Sequence, residues 1–218
     1  DFVDVPVRGL LDPDYLATRS RLIDPARAQV QVRAGEPVMV KKAAYRQAAS
    51  PEQMSTSHLS IVDAEGNALT MTTSIENAFG SRLMVGGFLL NNQLTDFSFA
   101  PRGADGQLVA NRIEPGKRPR SSMAPVMVFR SGEPILLTGS PGGSRIIDYV
   151  AQNLLHVLTG GMALDQALAS PHIVHVGPAL ELEKGYFGTE RIDALRTLGH
   201  RPVEVDQTSG LNAIAIDR

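Results

Sequence analysis

The chain has 218 residues, of which 43% are hydrophobic, so it is long enough for one large or two small domains with a sizeable core. Its 21 basic and 23 acidic residues nearly balance, and charge therefore gives no reason to expect nucleic acid or an anionic membrane as a partner. The absence of cysteine excludes disulfides, thiolate metal sites and a cysteine nucleophile.

Residues 1–55 differ from the rest of the chain in composition and in the pattern of their apolar residues. Two Asp-Pro pairs, each suited to a helix start, predict short helices near 13–22 and 25–30. Residues 32–55 contain Gly, Pro and many polar residues without a period, which predicts an exposed, flexible segment. No apolar run approaches the roughly 20 residues that span a bilayer, and the first residues lack the features of a signal peptide.

A hairpin is predicted from residue 56 onward. The stretch "SHLSIVDA" places Leu59 and Ile61 on one face of a mostly buried strand. "EGN" at 65–67 is a turn, and the Thr-rich "ALTMTTSI" returns as a second strand.

The remaining elements mix strands and helices. Strands are predicted in "GGFLLNNQL" and in "APVMVFRSGEPILLTGS", the latter with a turn at "SGE". Apolar residues recur through 146–158 and predict an amphipathic helix that stops at Gly160 and Gly161, with Ile146, Val150, Leu154 and Leu158 four residues apart. Helices in "ALDQALAS" and "TERIDALRTLGH" and strands in "ALELEK", "PVEVD" and "NAIAID" complete an α+β chain with a largely antiparallel sheet.

The turn "LLTGSPGGSR" is the first candidate for chemistry. A strand enters a glycine-rich turn and a helix begins near Ser144, so the N–H groups of Gly142 and Gly143 can face a developing oxyanion. The plain alternative is an ordinary strand-to-helix turn, which is common in proteins.

Two polar loops are further candidates. "GKRPRSSMAP" offers the Ser121 and Ser122 hydroxyls to a carboxylate. The alternative is that this motif is only a solvated basic loop. "LLNNQLTDFSF" offers Gln93 and Asp96 as acceptors for an ammonium. Together the loops suit the two ends of an α-amino acid.

The histidines favour structural roles. His172 and His175 lie three apart on a predicted strand and so point to opposite faces, and no ligand cluster accompanies them, which argues against a metal site. His58 shares the face of Thr56 in an extended segment and could serve it as a base, but packing is the preferred interpretation.

The order of four motifs gives these candidates a common meaning. "TSHLSIVDAEGNALTMTTSIE", "LLNNQLTDF", "RPRSSMAP" and "TGSPGGSR" resemble, in that order, the small subunit of gamma-glutamyltransferases, also called gamma-glutamyl transpeptidases. Residues 1–55 resemble the tail of that family's large subunit, and 56–218 its catalytic small subunit. The resemblance implies an N-terminal nucleophile hydrolase, a four-layer αββα sandwich.

The resemblance also implies that the protein cuts itself. By this likeness the cleavage site is Ser55–Thr56, and the cut gives Thr56 a free amine that acts as base toward its own hydroxyl. This explains the row of hydroxyl residues around Thr56. A flexible segment 41–55 lets the new ends separate.

Other roles carry over by position. Ser74 stands where the family usually has a Thr that hydrogen-bonds the nucleophile. Gly142 and Gly143 match the oxyanion pair, Gln93 and Asp96 the residues that hold the α-amino group, and Ser121 and Ser122 those that hold the α-carboxylate. Glu76 replaces the Asn of the best-known members. Its extra carboxylate favours an ammonium but repels a substrate carboxylate, which argues against a strict gamma-glutamyl preference. The segment 97–118 resembles a shortened lid loop, which implies an open pocket.

Partners and location follow from the family as expectations. The resemblance implies a gamma-glutamyl substrate such as glutathione, an acceptor amine or water, no cofactor and no metal. It implies an upstream large-subunit region with an Arg that grips the substrate carboxylate, and a periplasmic or extracellular location.

Two alternatives remain open. Glu76 and an open pocket suit a same-fold acylase acting on glutaryl or β-lactam side chains, whereas Gln93 and Asp96 suit an ammonium that a glutaryl group lacks. The second alternative is an unprocessed, inactive fragment that serves as a binding or structural module.

Overall fold

The computed structural model describes residues 5–29, 32–37, 55–177, 179–207 and 209–217. These residues form two compact units that alternate along the chain. The first contains the described residues up to 37 together with 95–120 and 188–202, and the second contains 55–94, 121–187 and 203–217. The division predicted between residues 55 and 56 marks a proposed cleavage site and is separate from these two units. It stays a prediction. Most of the segment 41–55 lies outside the described residues.

The elements follow one another in chain order. The helices are α1 (Val7–Leu10), α2 (Pro13–Ser20), α3 (Ile146–Leu158), α4 (Leu164–Ala169) and α5 (Thr189–Thr197). The strands are β1 (Thr56–Val62), β2 (Ala68–Ser74), β3 (Met84–Val85), β4 (Phe88–Leu89), β5 (Val126–Arg130), β6 (Glu133–Gly139), β7 (Ile173–Val176), β8 (Ala179–Glu183), β9 (Pro202–Val205) and β10 (Asn212–Ala215). Short 3₁₀ turns cover Gln93–Asp96 and Gly143–Arg145.

The two Asp-Pro pairs behave differently. Asp12 caps α2 by accepting the N–H of Tyr15 at 2.9 Å, with Pro13 in the first turn, as predicted. The helix predicted over 25–30 is wrong, because the described residues there form a turn with a bridge between Asp24 and Arg27. The Asp24 carboxylate closes this turn on the N–H of Ala26 at 2.9 Å and satisfies the backbone locally.

Strands β1 and β2 form the predicted antiparallel hairpin, with Thr56 opposite Ser74. Gly66 takes φ +85° in the connecting turn, and Asn67 bonds the Asp63 carboxylate through its N–H and its amide, both at 2.7 Å. The predicted burial of Leu59 and Ile61 is wrong in detail, since Ile61 is 51% exposed. The opposite face is half-buried, and its His58 and Ser60 side chains contact each other at 3.2 Å.

The second sheet contains β6 between β10 and β5, and the pairings are antiparallel. The predicted "SGE" turn joins β5 to β6. Leu136 and Leu137 of β6 are buried against the core, and Thr138 beside them is fully buried. Helix α3 contacts this strand and begins seven residues after its end.

The third sheet has the order β7-β8-β9, and α3 covers its β7 edge. Gln152 Oε1 accepts the N–H of Ile173 at 3.1 Å, and Asp148 Oδ2 accepts that of His175 at 3.1 Å. Side chains one helical turn apart thereby satisfy an otherwise open strand edge. A small hairpin of β3 and β4 stands apart from the three sheets.

These elements confirm an α+β chain with antiparallel strand pairing. Within the described ranges no helix combines the length and apolar character needed to cross a membrane.

Candidate active site

The open end of the β1–β2 hairpin holds the predicted nucleophile. Thr56 begins β1 and lies opposite Ser74, the last residue of β2. In this continuous chain the Ser74 hydroxyl donates a 2.6 Å hydrogen bond to the carbonyl oxygen of Ser55. The same Oγ accepts the N–H of Glu76 at 2.9 Å. The bond predicted to be cut is therefore held by the residue predicted to assist the nucleophile.

Glu76 has an unusual backbone for its residue type. Its φ is +72° and it is only 7% exposed, although left-handed conformations are uncommon for residues other than glycine. Backbone contacts on both sides hold it there, because Asn77 N–H donates to Asn92 Oδ1 at 2.9 Å just after the Ser74 contact. Such an outlier is often found at a functional site.

Asn92 connects this bend to the next polar loop. Its N–H donates to the carbonyl of Ile75 at 3.2 Å, in addition to the side-chain contact with Asn77. The predicted ligand Gln93 follows directly, so the structure brings it close to the end of β2. Gln93 Oε1 is a buried acceptor without a hydrogen-bond partner among the described residues.

Asp96 lies at the far end of the 3₁₀ turn that begins with Gln93. The boundary between the two compact units falls within this turn, after Leu94. In its own unit, Asp96 is fixed by its backbone oxygen, which accepts the Asn111 amide at 2.7 Å.

The turn after β6, here called the oxyanion turn, spans 140–145. Gly142 has φ +140° and Gly143 φ +58°, and both are buried. Neither N–H has a hydrogen-bond partner in the described part of the chain. Two buried, unpaired donors are costly unless a ligand meets them, so this arrangement suits an oxyanion.

The oxyanion turn rests on the first turns of α3. A Cβ on Gly142 would come within 2.6 Å of the Tyr149 ring, so only glycine fits above that ring. Tyr149 is fully buried, and this burial raises its pKa to about 12. The Tyr149 ring stacks on His172 with centroids 4.2 Å apart.

His58 joins β1 to the end of β6. Its ring packs against Gly139 so closely that a Cβ there would collide with it. Nδ1 lies 2.7 Å from Thr72 Oγ1 and Nε2 lies 3.2 Å from Ser60 Oγ. Burial lowers the pKa of His58 below its ordinary value. These contacts give His58 the packing role, and they place the start of β1 beside the end of β6.

A family model described as gamma-glutamyltranspeptidase matches residues 1–218. The chain belongs to the gamma-glutamyltranspeptidase family. The resemblance drawn from the four motifs is thereby confirmed.

Individual members show how much of the family protein this chain represents. It is 36% identical to the glutathione hydrolase proenzyme of Bacillus subtilis subsp. natto over 228 residues, covering 100% of this chain and 37% of that protein. It is 30% identical to the Acylase ACY 1 proenzyme of Pseudomonas sp. (strain SE83), covering 99% of this chain and 36% of that protein. The chain thus spans little more than a third of these relatives.

A solved family structure confirms the fold. A Helicobacter pylori gamma-glutamyltranspeptidase mutant superposes with a TM-score of 0.65 at 36% identity, covering 72% of this chain and 89% of that chain. The predicted N-terminal nucleophile hydrolase class, an αββα sandwich, is therefore correct.

The remaining predicted gamma-glutamyltranspeptidase residues lie just before β5. Ser121 Oγ accepts the N–H of Met123 at 3.2 Å, which orders the approach to the strand. Ser122 follows and is half-buried. Their role toward a carboxylate stays a prediction.

Two side-chain contacts of this family member, Arg145 with Glu181 and His172 with Ser209, were not foreseen from its sequence. Arg145 pairs with Glu181, which lies 36 residues away, at 2.7 Å between Nε and Oε2. His172 is buried with Nε2 2.6 Å from Ser209 Oγ, whereas His175 is exposed, as their opposite orientation predicted. No local pattern marks either contact, because the partners come from distant segments. A search of the described residues finds no group of three or more His, Asp or Glu side chains arranged to hold a metal.

Proposed function

We propose that this chain is the catalytic part of an autoprocessing gamma-glutamyl amide hydrolase or transferase with Thr56 as its N-terminal nucleophile. The observation that carries the proposal is the Ser74 hydroxyl, which holds the carbonyl of Ser55 directly beside Thr56. Membership of the gamma-glutamyltranspeptidase family supports it. A relative named as a glutathione hydrolase proenzyme supports both the substrate class and the processing.

Processing hydrolyses the Ser55–Thr56 peptide bond. One water is consumed, Ser55 gains a carboxylate and Thr56 gains a free α-amine. The hydrogen bond from Ser74 Oγ draws electron density from the carbonyl that is attacked. When the Ser55 carbonyl departs, the Ser74 hydroxyl becomes available to the Thr56 Oγ.

The processed Thr56 then attacks the gamma-glutamyl amide. Its α-amine has a pKa of about 8, so roughly a tenth is neutral at pH 7 and about half at pH 8. The neutral amine can take the proton of the hydroxyl, directly or through a water. The Thr56 Oγ forms a bond to the gamma carbonyl carbon, and the proton passes to the departing amine. The N–H groups of Gly142 and Gly143 stabilise the oxyanion in between. Water or an acceptor amine then takes the gamma-glutamyl group from Thr56.

Acceptors at the end of β2 suit the ammonium of the substrate. The buried Oε1 of Gln93 lacks a partner among the residues described, and an ammonium donor would satisfy it. Glu76 adds a carboxylate at the neighbouring bend. The family resemblance assigns Asp96 to the same ammonium. Ser121 and Ser122 supply hydroxyl donors for the α-carboxylate.

A region upstream of this chain completes the proposed enzyme. The Bacillus relative is more than twice as long as the segment it shares with this chain. In the proposal that region supplies the Arg that grips the substrate carboxylate. From the family resemblance alone, we also propose a periplasmic or extracellular location.

The proposal is tested in the polypeptide that carries this chain together with the upstream region. Wild type, Thr56→Ala and Ser57→Ala are incubated and assayed with a chromogenic gamma-glutamyl anilide. We expect cleavage and anilide release in the wild type and in Ser57→Ala, whose hydroxyl is exposed, and neither in Thr56→Ala. Anilide release by Thr56→Ala at the wild-type rate would contradict the proposal. A polypeptide that never splits and never turns over would indicate the binding or structural module.

A second function is favoured by one relative. The Acylase ACY 1 proenzyme matches 99% of the chain, and Glu76 departs from the residue expected at its position. Rates on matched glutaryl and gamma-glutamyl amides separate the two functions. We expect the gamma-glutamyl amide to react faster, because its ammonium offers the buried Gln93 Oε1 a donor that a glutaryl group lacks. A faster glutaryl amide would assign the protein to the acylases.

A further inference from the structure

Arg145 ends the oxyanion turn and contacts a distant strand through two hydrogen bonds. Its Nε lies 2.7 Å from Glu181 Oε2, and its Nη2 lies 3.2 Å from Glu181 Oε1. The backbone N–H of Arg145 closes the same turn on the carbonyl of Gly142 at 3.2 Å. Arg145 therefore closes the oxyanion turn with its backbone N–H and joins that turn to β8 with its side chain.

The ion pair is enclosed and its anchor is firmly held. The Arg145 and Glu181 side chains are only 21% and 13% exposed. Glu181 lies in β8, the central strand of its sheet. A two-bond contact between guanidinium and carboxylate fixes orientation as well as distance. Motion of the Arg145 end of the turn therefore requires breaking a largely enclosed ion pair.

The turn itself has few constraints of its own. Gly142 and Gly143 both occupy positive φ, a region that glycine enters and leaves freely. The Tyr149 ring supports Gly142 from below and is itself stacked on His172. That contact limits movement toward the core, whereas the Arg145–Glu181 pair limits rotation about the turn.

We propose that Glu181, acting through Arg145, is a positioning residue that aims the N–H groups of Gly142 and Gly143 at the oxyanion. This inference deepens the proposed function and rests on it. Oxyanion donors act only within a narrow range of distance and angle, and a shift of about 1 Å can cost about a hundredfold in rate. Loss of the pair is therefore expected to lower kcat while substrate binding stays intact.

The test uses Glu181→Gln, Arg145→Gln, the double variant and Arg145→Lys in the full-length polypeptide. We expect each Gln variant to lower kcat per processed site by roughly tenfold to a hundredfold with KM within about twofold. The double variant should lose no more than the worse single variant, because one interaction is removed in each. Arg145→Lys, which keeps the charge without the two-bond geometry, should lie between wild type and Arg145→Gln.

A matched control is available in α5. Arg196 and Asp193 form an exposed ion pair at 2.8 Å. Asp193→Asn removes the same kind of contact and is expected to leave kcat and KM unchanged. If Glu181→Gln leaves kcat unchanged as well, the inference is overturned.

Hydrogen exchange separates this inference from the proposed function. The amides of 140–146 are expected to exchange faster in Glu181→Gln than in wild type, with exchange in the β1–β2 hairpin unchanged. If the wild-type protein has no gamma-glutamyl activity, the proposed function is wrong. Faster exchange at 140–146 in Glu181→Gln would still show that Glu181 positions the oxyanion turn. Unchanged exchange at 140–146 would overturn it. Should Glu181→Gln fail to fold, Arg145→Lys provides both readouts.

Discussion

The Ser74 hydroxyl makes two hydrogen bonds that meet at the start of β1. It donates to the carbonyl of Ser55 and accepts from the N–H of Glu76. A hydroxyl can do both at once, and no aliphatic side chain of similar size can replace it. Ser74 therefore orients the bond that we propose is cut, and it also supports the left-handed bend at Glu76.

Replacing Ser74 by Ala is expected to slow cleavage before Thr56 by about tenfold, the effect of losing one hydrogen bond worth about 1.4 kcal/mol. Ser74→Thr keeps the hydroxyl and should cleave at nearly the wild-type rate. Time-resolved mass spectrometry of the full-length polypeptide measures both. Equal cleavage rates in the Ala and Thr variants would contradict this role.

Gly142 combines a special backbone angle with a close contact. Gly142→Ala would place a methyl group within 2.6 Å of the Tyr149 ring at φ +140°. We expect kcat to fall by about a hundredfold, because the two proposed oxyanion donors move. The free energy of unfolding should drop by about 1–3 kcal/mol.

Gly132→Ala is the control for this prediction. Gly132 has φ +89°, and a Cβ there meets no atom within 4 Å. Gly132→Ala introduces the strain of a positive φ without a collision with a ring. This substitution should therefore lower the free energy of unfolding slightly and leave kcat unchanged. Steady-state kinetics and denaturant unfolding are the measurements, and equal kcat in Gly142→Ala and wild type would refute the assignment.

Helix α3 packs against β6 of one sheet and hydrogen-bonds the β7 edge of another. Ile146, Tyr149, Val150 and Asn153 form its buried face, and Asn153 Nδ2 donates to Thr138 Oγ1 at 2.9 Å. Asp148 and Gln152 bond the edge of β7 on another side. The helix that follows the oxyanion turn is thus held by two sheets.

The buried histidines predict how stability depends on pH. Burial lowers the pKa of both His58 and His172 below 6.5, and for His172 the nearby Glu183 carboxylate opposes this in part. Below about pH 6.5 the unfolded chain binds protons that the folded chain excludes. The free energy of unfolding should therefore be level above pH 7 and fall as pH drops below 6.5, by up to about 1.4 kcal/mol per unit for each histidine.

Denaturant unfolding at a series of pH values checks this dependence. His172→Gln should reduce the slope below pH 6.5, whereas His175→Gln, at an exposed position, should not. A slope that is the same in wild type and His172→Gln would show that His172 does not contribute.

Elements with a strong local signal were predictable from the sequence. The turn at 65–67 and the glycines after α3 specify the hairpin and the helix end through backbone preferences of single residues. The helix predicted at 25–30 failed because Asp24 could close a short turn as readily as cap a helix. The stripe predicted along α3 missed Tyr149 and Asn153, since their burial depends on His172 and Thr138, which come from other elements of the chain.

At the scale of the whole molecule, the site residues come from distant parts of the chain. Thr56, Ser74 and Glu76 are placed by one hairpin and Gln93 by the loop tied to it, and these local relations follow from the motif spacing. The Arg145–Glu181 pair and the packing of His58 on Gly139 arise only when separate sheets meet. A family resemblance could locate the first group but gave no sign of the second.

The proposed catalysis requires the cut that frees the Thr56 amine, so activity and cleavage should follow one time course. The full-length polypeptide is purified uncut, and the intact mass and the gamma-glutamyl anilide activity are followed in the same samples. We expect activity to rise in proportion to a fragment that begins at Thr56. Full activity in samples whose mass shows an unbroken Ser55–Thr56 bond would contradict it.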